Sequence, residues 1–480
     1  MNNYTRRDFL RTLTTTTAAL ALPGCTSARL SQGKRTARPN LVIIFCDDLG
    51  YGDIGCFGST KHHTPNLDRM AAEGMRFTSF YSTCSVCTPS RAGLMTGCYP
   101  LRVNMHQNEK GLCVLFPVNK KGLNPKEVTI ADMLKTRRYA TACIGKWHLG
   151  DQPEFLPTRR GFDYYYGIPY SNDMGTEQGP GQPPLPLLRN EVVIEAPADQ
   201  NTLTKRYTEQ AVTFIRENKN RPFFLYLPHT MPHNPLHASD AFRGRSNNGR
   251  YGDAVEEIDS SAGQIIAELK ALDLDKNTLV IFTSDNGASS RYGGDNGPLR
   301  GHKGSTWEGG MREPCIAWWP GKIPASSTCD ELACTMDLLP TFANLAGTHP
   351  PKDRIIDGKN IWPLMSGRKG AGTPHNAFYY YQKDQLQAVR SGKWKLHLPL
   401  KPKKRHWGDP EPESPLQLYD LDADIGEQNN VADKHPDVVR RLTQLAEKAR
   451  RDIGDMNRPG KNQRPAAFVE NPKPLLMSKK

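Results

Sequence analysis

Apolar residues along this chain fall into short unbroken runs and into stripes at helical spacing. The runs Asn40–Cys46, Tyr139–Ile144, Phe223–Leu227 and Asn277–Thr283 have strand length and no polar alternation, the pattern of parallel strands buried on both faces. Between them, Thr64–Gly74 predicts a short helix opened by Pro65 and stopped by Gly74. Asp253–Leu272 carries Val255, Ile258, Ala262, Ile265 and Ile266 near a helical period, and a further helix is expected over Cys334–Ala346. Strands alternating with helices predict an α/β fold: a large mixed, mostly parallel sheet sandwiched by helices. Past residue 375 the pattern shortens. Ala377–Tyr381, Leu386–Arg390, Lys393–Leu398 and Leu416–Leu421 read as antiparallel strands, and Val438, Leu442, Leu445 and Ala449 as one helix stripe. The expected organisation is an α/β domain over 39–375, a small C-terminal antiparallel sheet plus helix over 376–458, and a Pro- and Lys-rich tail over 459–480 that drapes or frays. Segments 151–200 and 399–415 carry no secondary-structure signal and read as shaped loops.

The long runs end in reactive groups. Asn40–Cys46 leads into Asp47-Asp48-Leu49-Gly50, and Asn277–Thr283 into Ser284-Asp285-Asn286-Gly287. Ligands of α/β sheets collect at the carboxyl ends of the strands, so three carboxylates and an amide meet at one edge. Such hard oxygen donors suit Ca²⁺ or Mg²⁺ rather than zinc. Either sequence alone is an ordinary turn; two on matching strand ends favour a metal. Tyr139–Ile144 is followed by Lys146 and His148, two apart and therefore on one side of an extended segment. Phe223–Leu227 is followed by His229 and His233.

The stretch Cys84–Gly97 adds a nucleophile candidate. Cys87 stands just before an expected helix start, with Pro89 at an early helical position and Arg91 one turn on. A helix N-terminus suits an anion and lowers a thiol pKa, so a reactive cysteine beside an anionic substrate is expected. Cys84 and Cys87 also form a C-x-x-C pair, but no second such pair exists to complete a zinc site.

Charge and cysteine count change the picture little. The formal charge of +13 is scattered, and no nucleic-acid recognition motif is present, so a nucleic-acid partner is not expected; attraction for anionic substrates is. Arg6-Arg7 followed by a weakly apolar Leu13–Leu22 resembles a twin-arginine export signal, too short to span a bilayer. Leu22-Pro23-Gly24-Cys25 resembles a lipoprotein cleavage box, with Cys25 the candidate lipidated residue and ordinary signal cleavage the alternative. Residues 1–25 thus read as signal and 26–38 as a tether, giving an exported protein, periplasmic or anchored to the membrane by lipid. Of the eleven cysteines, Cys46, Cys143 and Cys315 sit in strand-like settings, and most are expected to be buried free thiols.

Cys87-Thr88-Pro89-Ser90-Arg91, leading to Leu94-Met95-Thr96-Gly97, resembles the signature of the type I, formylglycine-dependent sulfatases of the alkaline phosphatase superfamily. The resemblance extends over Asp47–Gly50, Thr64–Asp68, Gly145–His148, Gly167–Ser171, His233–Pro235, Asp285–Gly287, Gly301–Gly304, Glu308–Pro314 and Leu418–Leu421, and is nearest to the arylsulfatase A and N-acetylgalactosamine-6-sulfatase branches. It implies that a separate maturation enzyme oxidises Cys87 to formylglycine, whose hydrate supplies the attacking oxygen. It further implies that Asp47, Asp48, Asp285 and Asn286 hold one Ca²⁺ together with modified Cys87. Arg91 would steady the hydrate, and Lys146 and Lys303 would neutralise the sulfate oxygens. His233 would protonate the departing alcohol, His148 would assist the release of sulfate, and Ser171 would contact substrate or catalytic groups. The register from Phe223 favours His233 over His229; His237 and His302 are weaker candidates. The implied activity is hydrolysis of sulfate monoesters, from sulfated sugars or polysaccharide fragments in preference to small aryl sulfates. Alternatives are a phosphonate monoester or phosphodiester hydrolase of the same superfamily, and a catalytically idle glycan-binding protein. Trp307 and Trp407 are candidates for stacking on a sugar, with core packing the competing reading.

Overall fold

Strand β1 (Asn40–Cys46) is buried along its whole length, and the alternation of its side chains divides the molecule. Leu41, Ile43 and Phe45 enter one core, whereas Val42, Ile44 and Cys46 enter another on the opposite face. Each Val, Leu, Ile or Phe buried this way contributes roughly 1.5–3 kcal/mol, so the strand anchors both layers. The computed structural model describes residues 38–179, 181–400 and 413–477.

Helix α1 (Pro65–Glu73) precedes β2 (Met75–Tyr81), and α2 (Cys87–Thr96) follows it. Next come β3 (Ala140–Ile144), β4 (Tyr164–Gly167), β5 (Leu187–Arg189), β6 (Val192–Glu195), α3 (Leu203–Glu217), β7 (Phe223–Pro228), α4 (Gly249–Ala271), β8 (Thr278–Ser284), β9 (Arg312–Trp318), β10 (Ser327–Cys329) and α5 (Leu338–Leu345). These strands share one sheet in the order β10-β2-β9-β8-β1-β7-β3-β4-β5-β6, with Ala333–Cys334 also paired to β2. The centre is parallel: β1 pairs with β7 and β8, and β3 with β7 and β4. β9 runs antiparallel between β8 and β2. Leu94 and Met95 of α2 with Leu338, Leu339 and Phe342 of α5 cover one face; Leu67 and Met70 of α1, Tyr207 of α3 and Ile258, Ala262 and Ile265 of α4 cover the other.

The C-terminal part forms a second sheet of β11 (Phe378–Gln382), β12 (Gln385–Ser391), β13 (Trp394–His397) and β14 (Gln417–Asp420), all antiparallel. Val438, Leu442, Ala446 and Ala449 of α6 (Pro436–Asp452) pack with this sheet in a core that also takes Tyr81 and Met311 from the large domain.

Three expectations need correction. Segment 151–200 is not a structureless loop: β4 extends the parallel sheet, and β5 and β6 add a hairpin whose exposed Val192 breaks the usual apolar signal. The tail does not fray over its described length, because Ala467–Phe468 pairs with Lys121–Gly122 and Lys473 N donates to Gln152 Oε1 at 2.8 Å. Within 399–415, Leu400 and Ser414 form a bridge, while Trp407 lies outside the described residues. The signal and tether, with Arg6, Arg7 and Cys25, also lie outside them. Among the described residues no helix is long and apolar enough to cross a membrane. Ten described cysteines are free thiols, nine of them buried, as expected.

Candidate active site

The parallel strands bring their terminal residues together because the turns beyond them are tied to one another. Asp47 N donates to Met231 O, Asp285 N to Cys46 O, His229 N to Phe45 O and Lys146 N to Pro228 O. Gly145 makes the last contact achievable: it has φ +133°, and a Cβ there would stand 1.8 Å from Pro228 O. Gly167 approaches Gly145 equally closely, drawing the segment that carries Ser171 against Lys146. Asp48 and His148 have φ of +63° and +61°, a left-handed backbone that non-glycine residues adopt at some cost and that clusters at functional sites.

The carboxylates meet the cations in a dry site. Lys146 Nζ lies 2.5 Å from Asp47 Oδ2 and donates to Ser171 Oγ at 3.0 Å. Arg91 donates from Nε and Nη2 to Asp285 Oδ2 at 3.1 and 2.8 Å, and from Nη1 to Lys146 O at 2.9 Å. Lys303 Nζ lies 2.7 Å from Asp48 Oδ2, and Asn286 Nδ2 donates to Asp48 Oδ1 at 2.7 Å. Burial alone would raise the Asp47 carboxyl, but Lys146, His233 and Arg91 outweigh it and hold it far below the usual range. Burial and the charge of Asp47 push Asp285 up despite Arg91. Asp47 thus takes most of the positive charge and Asp285 is left short of it. Among the described residues, Asp47 Oδ1 and Asn286 Oδ1 are buried without any hydrogen-bond partner. Orphaned oxygens among crowded carboxylates are what a hard cation satisfies, and Asp47 and Asp48 with His233 place candidate ligand atoms within 4.8 Å of one another.

Cys87 opens α2 and is buried, as is every other residue of that helix. The expected thiol activation is not found. Burial, set against the opposing fields of Lys146 and Asp47, pushes the Cys87 thiol up to about 11.

The histidines separate by environment. His148 is fully buried; its Nε2 sits 2.9 Å from Leu115 O, and Nδ1 has no partner. A carbonyl only accepts, so the proton sits on Nε2 and Nδ1 keeps a free lone pair. Burial and Lys146 hold His148 well below the ordinary histidine pKa. His233 places Nδ1 2.5 Å from Asn234 O, which leaves Nε2 facing the cluster 3.7 Å from Asp48 Oδ2. His229 is fully buried, with burial lowering it to about 3 and only Ser261 Oγ at 3.4 Å from its Nε2, which suits packing rather than proton transfer. His237 binds Asn201 and His302 is exposed, so neither joins the cluster.

Two site neighbours carried no sequence mark. Tyr251 OH lies 2.5 Å from Asp53 Oδ2 and 3.2 Å from Asp48 O, bracing the turn that carries Asp48. Asp53 follows Asp47 by six residues, which was its only signal. Asp173 lies at the exposed edge of the site; burial would raise its carboxyl, but His233, Lys146, a Ser171 hydrogen bond and Lys303 outweigh that. Trp307 is not open to a sugar. His397 stacks on it with ring centroids 4.1 Å apart, and the Arg300 guanidinium lies 3.7 Å from its ring centre; groups so close must occupy opposite faces.

A second group, Cys334, Asp337 and His375, also clusters. There both Asp337 oxygens accept backbone N–H groups, from Lys359 and Cys334, and pair with His375 Nε2 at 2.8 and 3.0 Å. Its polar atoms are satisfied as a cap at the start of a helical turn, without a metal.

The pattern of the family described as sulfatase matches residues 39–348, and that of the C-terminal region of aryl-sulfatase matches residues 373–468. N-acetylgalactosamine-6-sulfatase of Canis lupus familiaris is 42% identical over 376 residues, 75% of this chain and 71% of its own length. Arylsulfatase A of Homo sapiens is 41% identical over 459 residues, 87% of this chain and 89% of its own. A solved structure titled as Ps i-CgsB in complex with k-i-k-neocarrahexaose superposes with a TM-score of 0.73 at 32% identity, over 86% of this chain and 92% of that one.

Proposed function

This chain belongs to the sulfatase family and is an enzyme that hydrolyses sulfate esters, and from that premise we propose that it desulfates sugars or polysaccharide fragments with a formylglycine made from Cys87 and one Ca²⁺. The observation that carries the proposal is the buried cluster of three carboxylates and three cationic side chains in which Asp47 Oδ1 and Asn286 Oδ1 have no hydrogen-bond partner among the described residues. The donor set fits the metal: Asp47, Asp48, Asp285 and Asn286 would hold it, completed by residue 87. When in place, the metal supplies a Lewis acid for sulfate oxygens, and the hydrated aldehyde supplies a nucleophilic oxygen that a thiol raised to about 11 does not.

The remaining chemistry belongs to the side chains. A sulfate monoester resists attack because its oxygens are anionic, so positive charge must be fixed beforehand. Lys146 and Lys303 provide it; burial would neutralise them, but Asp47 and Asp48 respectively outweigh burial and keep both protonated. Arg91 fixes Asp285 through two donors and offsets charge at residue 87. Ser171 holds Lys146 from the substrate side. His233, its Nδ1–H held by Asn234 O, donates as an imidazolium the Nε2 proton that the departing alcohol takes, and the free lone pair of His148 Nδ1 accepts one as sulfate is released.

A sugar substrate is supported by the names of the relatives, one an N-acetylgalactosamine sulfatase, and by the carrageenan-type hexaose in the similar solved structure. The alternative, preference for a phosphonate monoester or phosphodiester, has no site residue in its favour. The same reading includes export through the twin-arginine signal, a lipid anchor on Cys25 and a formylglycine-generating maturation partner. The test is sulfate release from sulfated galactosaminoglycan and carrageenan oligosaccharides beside matched aryl sulfate, phosphodiester and phosphonate. Turnover of sulfated oligosaccharide is expected; turnover of aryl sulfate alone would remove the sugar assignment, and preference for phosphorus would remove the proposal.

A further inference from the structure

The loop that carries Lys303 is fastened on two sides. Towards the large sheet, Lys303 N donates to Ala288 O and Gly304 N to Ser85 O. Towards the C-terminal sheet, Lys395 of β13 donates from Nζ to Thr306 O at 2.9 Å and pairs with Glu308 Oε1 at 2.9 Å and Glu427 Oε1 at 2.8 Å, all three side chains being without solvent exposure. Glu427 Oε2 accepts Glu308 N at 2.7 Å, and Thr306 Oγ1 donates to Gln387 Oε1 at 2.8 Å. Tyr380 OH donates to Glu308 Oε1 at 2.9 Å, and Arg300 Nη1 to Glu427 O at 2.7 Å. Trp307 is gripped between His397 and Arg300.

Apolar side chains would hold two layers together at lower cost than two carboxylates and an ammonium stripped of water. What a charged cluster adds is direction, because each bond has a fixed partner and angle. Its anchor on Thr306 lies three residues from Lys303, whose ammonium must sit between Asp48 and the substrate. No residue of the cluster reaches the metal-binding carboxylates directly, so its influence on the reaction runs through the loop. We propose that Lys395 is a positioning residue for Lys303: through Thr306 O and its ion pairs with Glu308 and Glu427, the C-terminal sheet sets where the sulfate-binding ammonium stands. The inference rests on the reading of Lys303 as a sulfate-binding cation.

A double-mutant cycle on the full-length, matured enzyme tests it, with kcat/KM on an aryl sulfate as readout and circular dichroism to confirm folding. Lys395→Met is expected to lower kcat/KM about 10²-fold, the scale of a displacement near 1 Å in a catalytic group. On Lys303→Ala the same substitution should cost nothing further, whereas on Lys146→Ala its cost should multiply in full. Thr306→Val, which removes one bond to Gln387 and no charge, should show the same pattern at smaller amplitude and carries the cycle where Lys395→Met does not fold. Equal multiplication onto both backgrounds, or full activity of folded Lys395→Met, would overturn the inference. Full activity of Lys303→Ala alone would overturn the sulfate-binding role first and this inference with it, which tells the two failures apart.

Discussion

Lys146 Nζ stands 2.5 Å from Asp47 Oδ2, and neither side chain is reached by solvent. The pair would reconcile the two demands of the proposed chemistry: an ammonium that stays charged in a dry site, and a carboxylate that stays ionised for a cation. Lys146→Ala removes a donor proposed to meet the sulfate and, among the described residues, leaves Arg91 at 3.6 Å as the ion-pair partner of Asp47. Its kcat/KM on an aryl sulfate should fall about 10²–10³-fold, as for loss of one oxyanion-stabilising donor. Lys146→Arg should not restore it, because a planar guanidinium cannot reproduce the point contacts to Asp47 and Ser171. Steady-state kinetics of the two variants checks this; a loss below tenfold for the alanine would contradict it.

His233 and His229 should part company. His233→Ala should lower kcat about 10²–10⁴-fold on esters with poor leaving groups and much less on activated aryl sulfates, since a good leaving group needs no proton. His229→Gln should remain active. Its mark is on stability: burial lowers His229 to about 3 from an ordinary 6.5. The unfolded chain therefore binds a proton that the native chain does not, and stability present above pH 6.5 is lost as pH falls toward 3. That amounts to about 2 kcal/mol by pH 5, so His229→Gln should flatten the fall in Tm between pH 7 and 5. Identical Tm profiles for the two proteins would contradict the assignment.

Removal of the metal should both stop turnover and loosen the fold. With Asp47, Asp48 and Asp285 crowded together, a bound cation relieves repulsion in the native state only. Chelation of the matured enzyme should abolish activity and lower Tm, and Ca²⁺ should restore both. Asn286→Leu, which deletes an orphaned oxygen and a donor to Asp48, should weaken the Ca²⁺ dependence of Tm. An unchanged Tm across chelation and return of Ca²⁺ would remove the metal from the account.

The sequence was most legible where burial is complete. Asn40–Cys46 is buried on both faces, so its strand, its end and the Asp47-Asp48 turn were all readable, and the three other long apolar runs match β3, β7 and β8 to within a residue or so. β2 was missed because Arg76 and Thr78 interrupt it, half-buried on a flank where the sheet turns antiparallel. The helix Leu203–Glu217 was missed because Thr204 and Thr208, both buried, interrupt the apolar stripe of Leu203, Tyr207, Ala211 and Phe214. The helix start at Cys87 was read correctly, but the burial that raises its thiol was not. The Lys395–Glu308 pair spans 87 residues and leaves no trace in local spacing; only the folded chain brings it together.

In the proposed reaction residue 87 acts as an aldehyde and not as a thiol. Mass spectrometry of the tryptic peptide Phe77–Arg91, from protein made with a formylglycine-generating enzyme, tests it directly. The aldehyde mass is expected at position 87 in a fraction of molecules that tracks specific activity across preparations. An unmodified Cys87 thiol throughout a fully active preparation would contradict it.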